Sequence, residues 1–467
     1  MKSTRKGIIS SPSEAIIKGL AEDGGLYVFE SLDPNFYNED FLSLSYQETA
    51  LKVFKELLND YQTDDLTTII NTTYNQRLFK DEIVGITEYD DFAYLSLYKG
   101  DTFSFKDMAL SVLPKLMMSS KKMNNDSSKT VILTATSGDT GSASLSGFSK
   151  LGVDVIVLYP TDGVSRFQEQ QMLQFQNKKN RVIAIEGNFD DAQNLIKDLL
   201  SKNTSSLNIT SANSINIGRI VPQIVYYFYA YSKLVRSGAI KSNDLLNVVV
   251  PTGNFGNIYA CYLAKQLGLP IGKLVIASNE NDNLRVLFNT GTYEIGNELS
   301  KTISPSMDIV VSSNIERYLC DLVGVTRVEQ LMTELKTKKR INVPEILSQE
   351  DFIAEYATEE ETLVAIKNSA KTHLIDPHTA VAKVVYDKMA DKLNGYTLIV
   401  STASPLKFKD TINKALATEV SNFKNLMGND YDDRVELLEG KFKKTILSKD
   451  SAKLFIQDIL REIENEN

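Results

Sequence analysis

A chain of 467 residues exceeds one ordinary hydrophobic core and implies two or three domains. Its 42% hydrophobic and 24% charged residues are those of a soluble globular protein, and a net charge of −9 argues against nucleic acid or an anionic membrane as main partner. Two cysteines, Cys261 and Cys320, and two histidines, His373 and His378, exclude a disulfide framework and a structural zinc site, so a reducing cytoplasm and no metal are expected.

Residues 1–85 read as a helical N-terminal domain. Met1-Lys2-Ser3-Thr4-Arg5-Lys6 is followed by no apolar run, so no signal peptide is expected. Ser11-Pro12-Ser13-Glu14 is a capping box with proline at the first helical position, predicting a helix through Ile16, Ile17 and Leu20. Asp23-Gly24-Gly25 turns the chain. Ser45-Tyr46-Gln47-Glu48 opens a second helix with Leu51, Val53, Phe54, Leu57 and Leu58 on one face.

From about residue 90 the pattern changes to strand–loop–helix units. The alternation over 92–98 predicts a strand, and Leu110, Leu113, Leu116 and Met117 predict a helical run after it. Apolar strands are predicted at 131–133, 153–158, 182–185, 246–250, 274–277 and 398–400, with a helix over 189–200 and another from Ile258. Residues 326–370 read as helical and more charged, and 336–340 as a solvated helix end. Strands alternating with helices imply an α/β fold with largely parallel sheets covered on both faces. A small α/β domain is expected over 86–205 and a large one over 206–467, with C-terminal helices. No run approaches the ~18 apolar residues of a membrane span.

Three stretches carry chemistry. Lys106 falls where the first strand's loop enters a helix, flanked by Phe103, Phe105 and Met108. Apolar company and a helix N-terminus both favour the neutral amine, the form that attacks an aldehyde; a surface lysine starting a helix is the alternative. In Pro251-Thr252-Gly253-Asn254-Phe255-Gly256-Asn257 the glycines let backbone N–H groups approach an anion at a helix start. This matches neither ATP-binding nor dinucleotide-binding glycine patterns, and a ligand-free tight turn is the alternative. Thr136-Ser137-Gly138-Asp139-Thr140-Gly141 is a similar nest, with hydroxyls able to donate to a carboxylate; an N-capped helix entry is the alternative. A lysine for an aldehyde, a phosphate cradle and a carboxylate nest together are what a pyridoxal phosphate enzyme acting on an amino acid needs.

Ser104-Phe105-Lys106-Asp107, Ala135-Thr136-Ser137-Gly138-Asp139-Thr140-Gly141, the 251–257 loop and Thr402-Ala403-Ser404-Pro405 resemble the motifs of threonine synthase, as do Asn213-Ser214-Ile215-Asn216 and Asp376-Pro377-His378-Thr379. The resemblance runs in order from about residue 3 to 410. It implies two α/β domains of the tryptophan synthase β-like type (fold type II of pyridoxal phosphate enzymes) and the longer-chain branch with a helical N-terminal domain. It implies pyridoxal 5′-phosphate held by Lys106, Gly253, Asn254, Phe255, Gly256, Asn257, Thr402 and Asp139, with Lys106 also moving protons. Thr136, Ser137, Gly138 and Thr140 would then surround the substrate carboxylate. Asn213, Ser214, Asn216 and Arg219 are the candidates for its phosphate, Arg219 offering a fork that suits phosphate oxygens, with a structural ion pair as the alternative.

The implied reaction is conversion of O-phospho-L-homoserine and water to L-threonine and phosphate, in a cytoplasmic monomer. The alternatives are a related dehydratase or amino-phospholyase, or a non-catalytic binder of the cofactor. The chain departs from the family's usual pattern at Lys99 and Asp101, where His-Gly-Pro precedes the threonine, and at Ser404, where His is usual. These departures bear on substrate fit and rate more than on cofactor binding.

Overall fold

Two sheets organise the chain, and the computed structural model describes residues 1–187, 189–201, 206–296, 299–438 and 442–466. The larger sheet has the strand order Phe352–Tyr356, Ile271–Ser278, Leu246–Pro251, Thr397–Ser401, Phe92–Ser96 and Gly85–Glu88. Its pairs are parallel except the last, where Gly85–Glu88 runs against Phe92–Ser96. The smaller sheet is wholly parallel, in the order Thr445–Leu447, Asn180–Ile185, Asp154–Pro160, Thr130–Ala135 and Asn208–Ser211. Every residue of Leu246–Pro251, Thr130–Ala135 and Asp154–Pro160 is buried. Helices on both faces of a parallel sheet bury such largely apolar runs whole.

The two predicted capping boxes form at Ser11 and Ser45, opening Pro12–Lys18 and Tyr46–Leu57. The first helix stops earlier than expected, because Gly19 at φ 69° turns the chain and leaves Leu20 exposed. The N-terminal segment is mainly helical, with one ribbon in which Lys2–Ser3 pairs with Tyr27–Val28. Buried Arg317 ties that ribbon to the body, donating to the Tyr27 carbonyl at 2.8 Å and the Ile215 carbonyl at 2.6 Å.

Strand pairing redraws the expected domain limits. Phe92–Ser96 lies beside Thr397–Ser401 in the larger sheet, not with the smaller one. The loop beyond it stays there: Phe105 N–H donates to the Thr402 carbonyl at 2.7 Å, and Ser104 bridges Ala403. Lys106 therefore belongs to the larger-sheet body. Conversely, Asn208–Ser211, Thr445–Leu447 and the helix Lys449–Asn465 join the smaller sheet, so 206–467 is not one domain. The expected limit at 205 lies outside the described residues. The 326–370 region is not purely helical either, since Phe352–Tyr356 forms an edge of the larger sheet. The run after Lys106 splits into Asp107–Leu110 and Leu113–Met123. Pro114 has no N–H to bond back to Leu110, and the helix breaks there.

Candidate active site

At the carboxyl end of Leu246–Pro251 the chain crosses a short loop into the helix Gly256–Gln266. Phe255, at φ 62°, caps that helix in the left-handed conformation. A Cβ on Gly253 would lie 2.8 Å from the Ser306 carbonyl oxygen and 3.2 Å from Met307 Cα, so only glycine fits against that wall. The loop's carbonyls are drawn away from the cavity: Ser312 Oγ donates to Gly253 O at 2.5 Å, and Asn314 Nδ2 to Asn254 O at 2.9 Å. The first N–H groups of the helix, at Gly256 and Asn257, have no intrahelical acceptor. Asn257 Oδ1 accepts from Tyr226 and Tyr227 hydroxyls at 2.7 and 2.5 Å, which turns the side chain so that buried Nδ2 has no partner among the described residues. Unpaired N–H donors at a helix start suit a phosphate.

Lys106 opens the short turn Asp107–Leu110 and lines the same cavity. Its Nζ lies 3.4 Å from Asp139 Oδ2 and 4.9 Å from the centre of the Phe105 ring. Burial pushes this amine below the ordinary lysine range; Asp139 opposes the shift, while the Lys407 and Arg219 charges reinforce it. A four-residue turn has little dipole, so burial and cations replace the helix terminus as the cause. Burial alone would raise the Asp139 carboxyl. The ammonium groups of Lys407 and Lys106 outweigh it and hold Asp139 well below the usual carboxylate range.

Asp139 starts the helix Asp139–Ser149 at the end of Thr130–Ala135, after Gly138 at φ 122°. Thr136 Oγ1 accepts from the Gly138 and Gly141 N–H groups, both at 2.9 Å, so this hydroxyl shapes the nest from beneath. Gly138 makes the turn; a Cβ there would lie 2.5 Å from Gln168 Cδ. Ser137 and Thr140 line the cavity and are half-buried.

The other predicted residues divide. Asn213, Ser214, Arg219 and Thr402 line the cavity. Asn216 does not: its Nδ2 donates to the Ile16 carbonyl at 2.9 Å and its Oδ1 accepts from Gly218 N–H at 2.9 Å. Asn216 caps a turn and anchors the N-terminal helix, and its amide is unavailable to a substrate. Arg219 is buried and pairs with no carboxylate among the described residues. Nη1 donates to the Ala212 carbonyl at 2.6 Å, while Nε has no partner among the described residues. Burial lowers its guanidinium to about 10. Arg317, equally buried, has its nitrogens on carbonyls and Asn314, so it is structural where Arg219 is open.

Four residues at the site escaped the sequence reading. Lys407 and Gln168 reach Asp139 Oδ1 at 2.8 Å each, and Ser306 Oγ reaches Oδ2 at 3.4 Å. His378 lines the cavity with Nδ1 2.8 Å from Asp376 and Nε2 accepting from Ser306 N–H at 3.2 Å, a pattern that puts the ring proton on Nδ1. The Asp376-Pro377-His378-Thr379 motif was the available signal for His378.

The profile of the pyridoxal-phosphate dependent enzyme family matches residues 96–404, and that of the threonine synthase N terminus matches residues 1–74. Threonine synthase-like 1 of Pongo abelii is 37% identical over 440 residues, which cover 88% of this chain and 58% of that protein. The chain thus spans 58% of the length of that relative. Threonine synthase of Saccharomyces cerevisiae is 34% identical over 446 residues, 86% of each chain. The crystal structure of pyridoxal phosphate-bound threonine synthase from Brucella melitensis superposes with a TM-score of 0.86 at 32% identity, covering 98% of both chains. With the N-terminal segment and the cavity-forming body both matched, the chain belongs to the threonine synthase family of pyridoxal-phosphate dependent enzymes.

Proposed function

We propose that the protein converts O-phospho-L-homoserine and water to L-threonine and phosphate, with pyridoxal 5′-phosphate as cofactor. The observation that carries this reading is a second set of anion donors in the cavity. The 251–257 loop serves one phosphate through Asn257 Nδ2 and the helix N–H groups. Arg219, with a buried Nε that has no partner among the described residues, serves another anion. A dehydratase acting on serine or threonine has no second phosphate to hold.

Bound pyridoxal phosphate supplies an aldehyde for Lys106 and a ring that withdraws electrons as bonds at the substrate α-carbon break. Gly253, Asn254, Phe255, Gly256 and Asn257 hold its phosphate, and the Thr402 hydroxyl and Asp139 orient it. Lys106, kept below the ordinary lysine range by burial, takes and returns the α-proton as the amine. Ser137 and Thr140 donate to the substrate carboxylate. Asn213, Ser214 and Arg219 hold the γ-phosphate, which leaves before water adds at the β-carbon.

No helix among the described residues is long and apolar enough to cross a membrane, and Cys261 and Cys320 are buried free thiols. The free thiols suit a reducing compartment such as the cytoplasm. The test is product analysis with O-phospho-L-homoserine, L-serine and L-threonine in parallel. Threonine and inorganic phosphate should appear from the first alone. Keto acid from serine or threonine, with nothing from phosphohomoserine, would overturn the proposal.

A further inference from the structure

Asp139 is held from two sides. Oδ1 meets Lys407 Nζ at 2.8 Å and Gln168 Nε2 at 2.8 Å, while Oδ2 faces Lys106 Nζ and Ser306 Oγ, both at 3.4 Å. Lys407 sits in the turn Pro405–Phe408, its side chain wholly buried. Its ammonium also donates to the Thr102 carbonyl at 2.7 Å and Gln171 Oε1 at 3.0 Å. It does not line the cavity, so it reaches a ligand there only through Asp139.

The consequence is electrostatic. A buried carboxylate facing Lys106 alone would keep it as an ammonium, which has no lone pair for an aldehyde. Lys407 takes a share of that carboxylate and, being a buried cation itself, repels a second one at Lys106. The charged groups acting on Lys106 are Asp139, Lys407 and Arg219. Gln168 and Ser306 are neutral, and His378 turns its proton to Asp376.

We propose that Lys407 is a positioning residue which, through Asp139, sets the fraction of Lys106 present as free amine and so the pH range in which Lys106 captures an aldehyde. The proposal rests on Lys106 being the cofactor lysine. Capture joins the Lys106 nitrogen to the aldehyde carbon; the carbonyl oxygen leaves as water with the two amine protons.

The experiment uses the full chain freed of cofactor and checked for folding by circular dichroism. Pyridoxal 5′-phosphate is added across a pH series, capture is followed by absorbance, and borohydride fixes the adduct for peptide mapping. Lys407→Met should raise the pH of half-maximal capture by about one unit, a roughly tenfold loss of free amine at a given pH below it. Lys407→Arg, which keeps the charge, should leave the profile in place. Adding Asp139→Asn to Lys407→Met should bring it back down. An adduct on Lys106 with superimposable profiles for the parent and Lys407→Met would overturn the proposal while sparing the cofactor lysine. An adduct on another lysine would overturn both. Where Lys407→Met does not fold, Asp139→Asn alone decides: a lower half-capture pH supports the proposal, and a higher or unchanged one refutes it.

Discussion

Replacing Arg219 by methionine should separate the proposed recognition of the substrate phosphate from recognition of the cofactor. In the protein without substrate the guanidinium makes one hydrogen bond, to the Ala212 carbonyl at 2.6 Å, and no ion pair among the described residues. Methionine loses that bond but also removes a buried charge whose burial is costly enough to lower its pKa to about 10. The two effects oppose each other, so stability should change by less than about 2 kcal/mol. Anion binding is different. In a dry cavity each charge-assisted bond contributes about 1.5–3 kcal/mol, so loss of the fork should weaken O-phospho-L-homoserine by about 2–4 kcal/mol, roughly 30- to 900-fold. Titration of a non-reacting phosphonate analogue, followed through the absorption of the bound cofactor, measures this directly. Homoserine, lacking the phosphate, should bind the variant as it binds the parent. If Arg219→Met instead releases pyridoxal phosphate or unfolds the chain, Arg219 is a structural cation like Arg317, and its substrate role is wrong.

Borohydride reduction of the yellow holoprotein should place the cofactor on Lys106 by peptide mapping; an adduct elsewhere would sink the site assignment. Gly253→Ala should weaken cofactor binding at least about tenfold with secondary structure retained, because the new methyl meets backbone 2.8 Å away at Ser306; equilibrium dialysis reads this, and parent-like affinity would refute it. Burial raises the Asp107 carboxyl from 3.8 to about 6, so the folded chain keeps a proton there that the unfolded chain releases at lower pH. Stability is therefore lost as pH rises from about 4 to 6, by about 3 kcal/mol, and Asp107→Asn should remove that loss in denaturant unfolding; parallel pH curves for the two proteins would refute it.

What local sequence encodes was readable. The capping boxes at Ser11 and Ser45, the apolar strands predicted at 131–133 and 246–250, and the glycine loop before Gly256 each follow from neighbouring residues. What depends on distant pairing was not. Phe92–Ser96 looks like a strand from its own residues, yet only its partner Thr397–Ser401 decides which sheet receives it, and with it Lys106. Lys407 carries no local signature, because a lysine after a proline turn is ordinary until Asp139 is seen 2.8 Å away. Asn216 misled in the opposite sense: it sits in a polar stretch between cavity residues, but its amide faces Ile16 and Gly218.

The departures from the family pattern fall on this same division between cavity and support. Lys99 pairs with Asp430 at 3.0 Å, and Asp101 pairs with Lys150 and, at 3.3 Å, with Arg434. Neither lines the cavity, and both find partners outside it, Asp430 and Arg434 coming from the C-terminal stretch. Ser404 differs in kind: its Oγ accepts from Leu406 N–H at 3.4 Å and caps the turn that carries Lys407. Substitution at 99 and 101 is thus absorbed by partly buried charge pairs outside the cavity, whereas substitution at 404 acts on the support of the buried cation behind Asp139. Within the cavity and its wall, Lys407 and Arg219 outnumber Asp139 even with Lys106 as the neutral amine, so anions meet a positive field in a chain whose net charge is −9. The proposed recognition of two phosphates by so acidic a chain draws on that local excess, and Lys407 is the member of it that does not line the cavity.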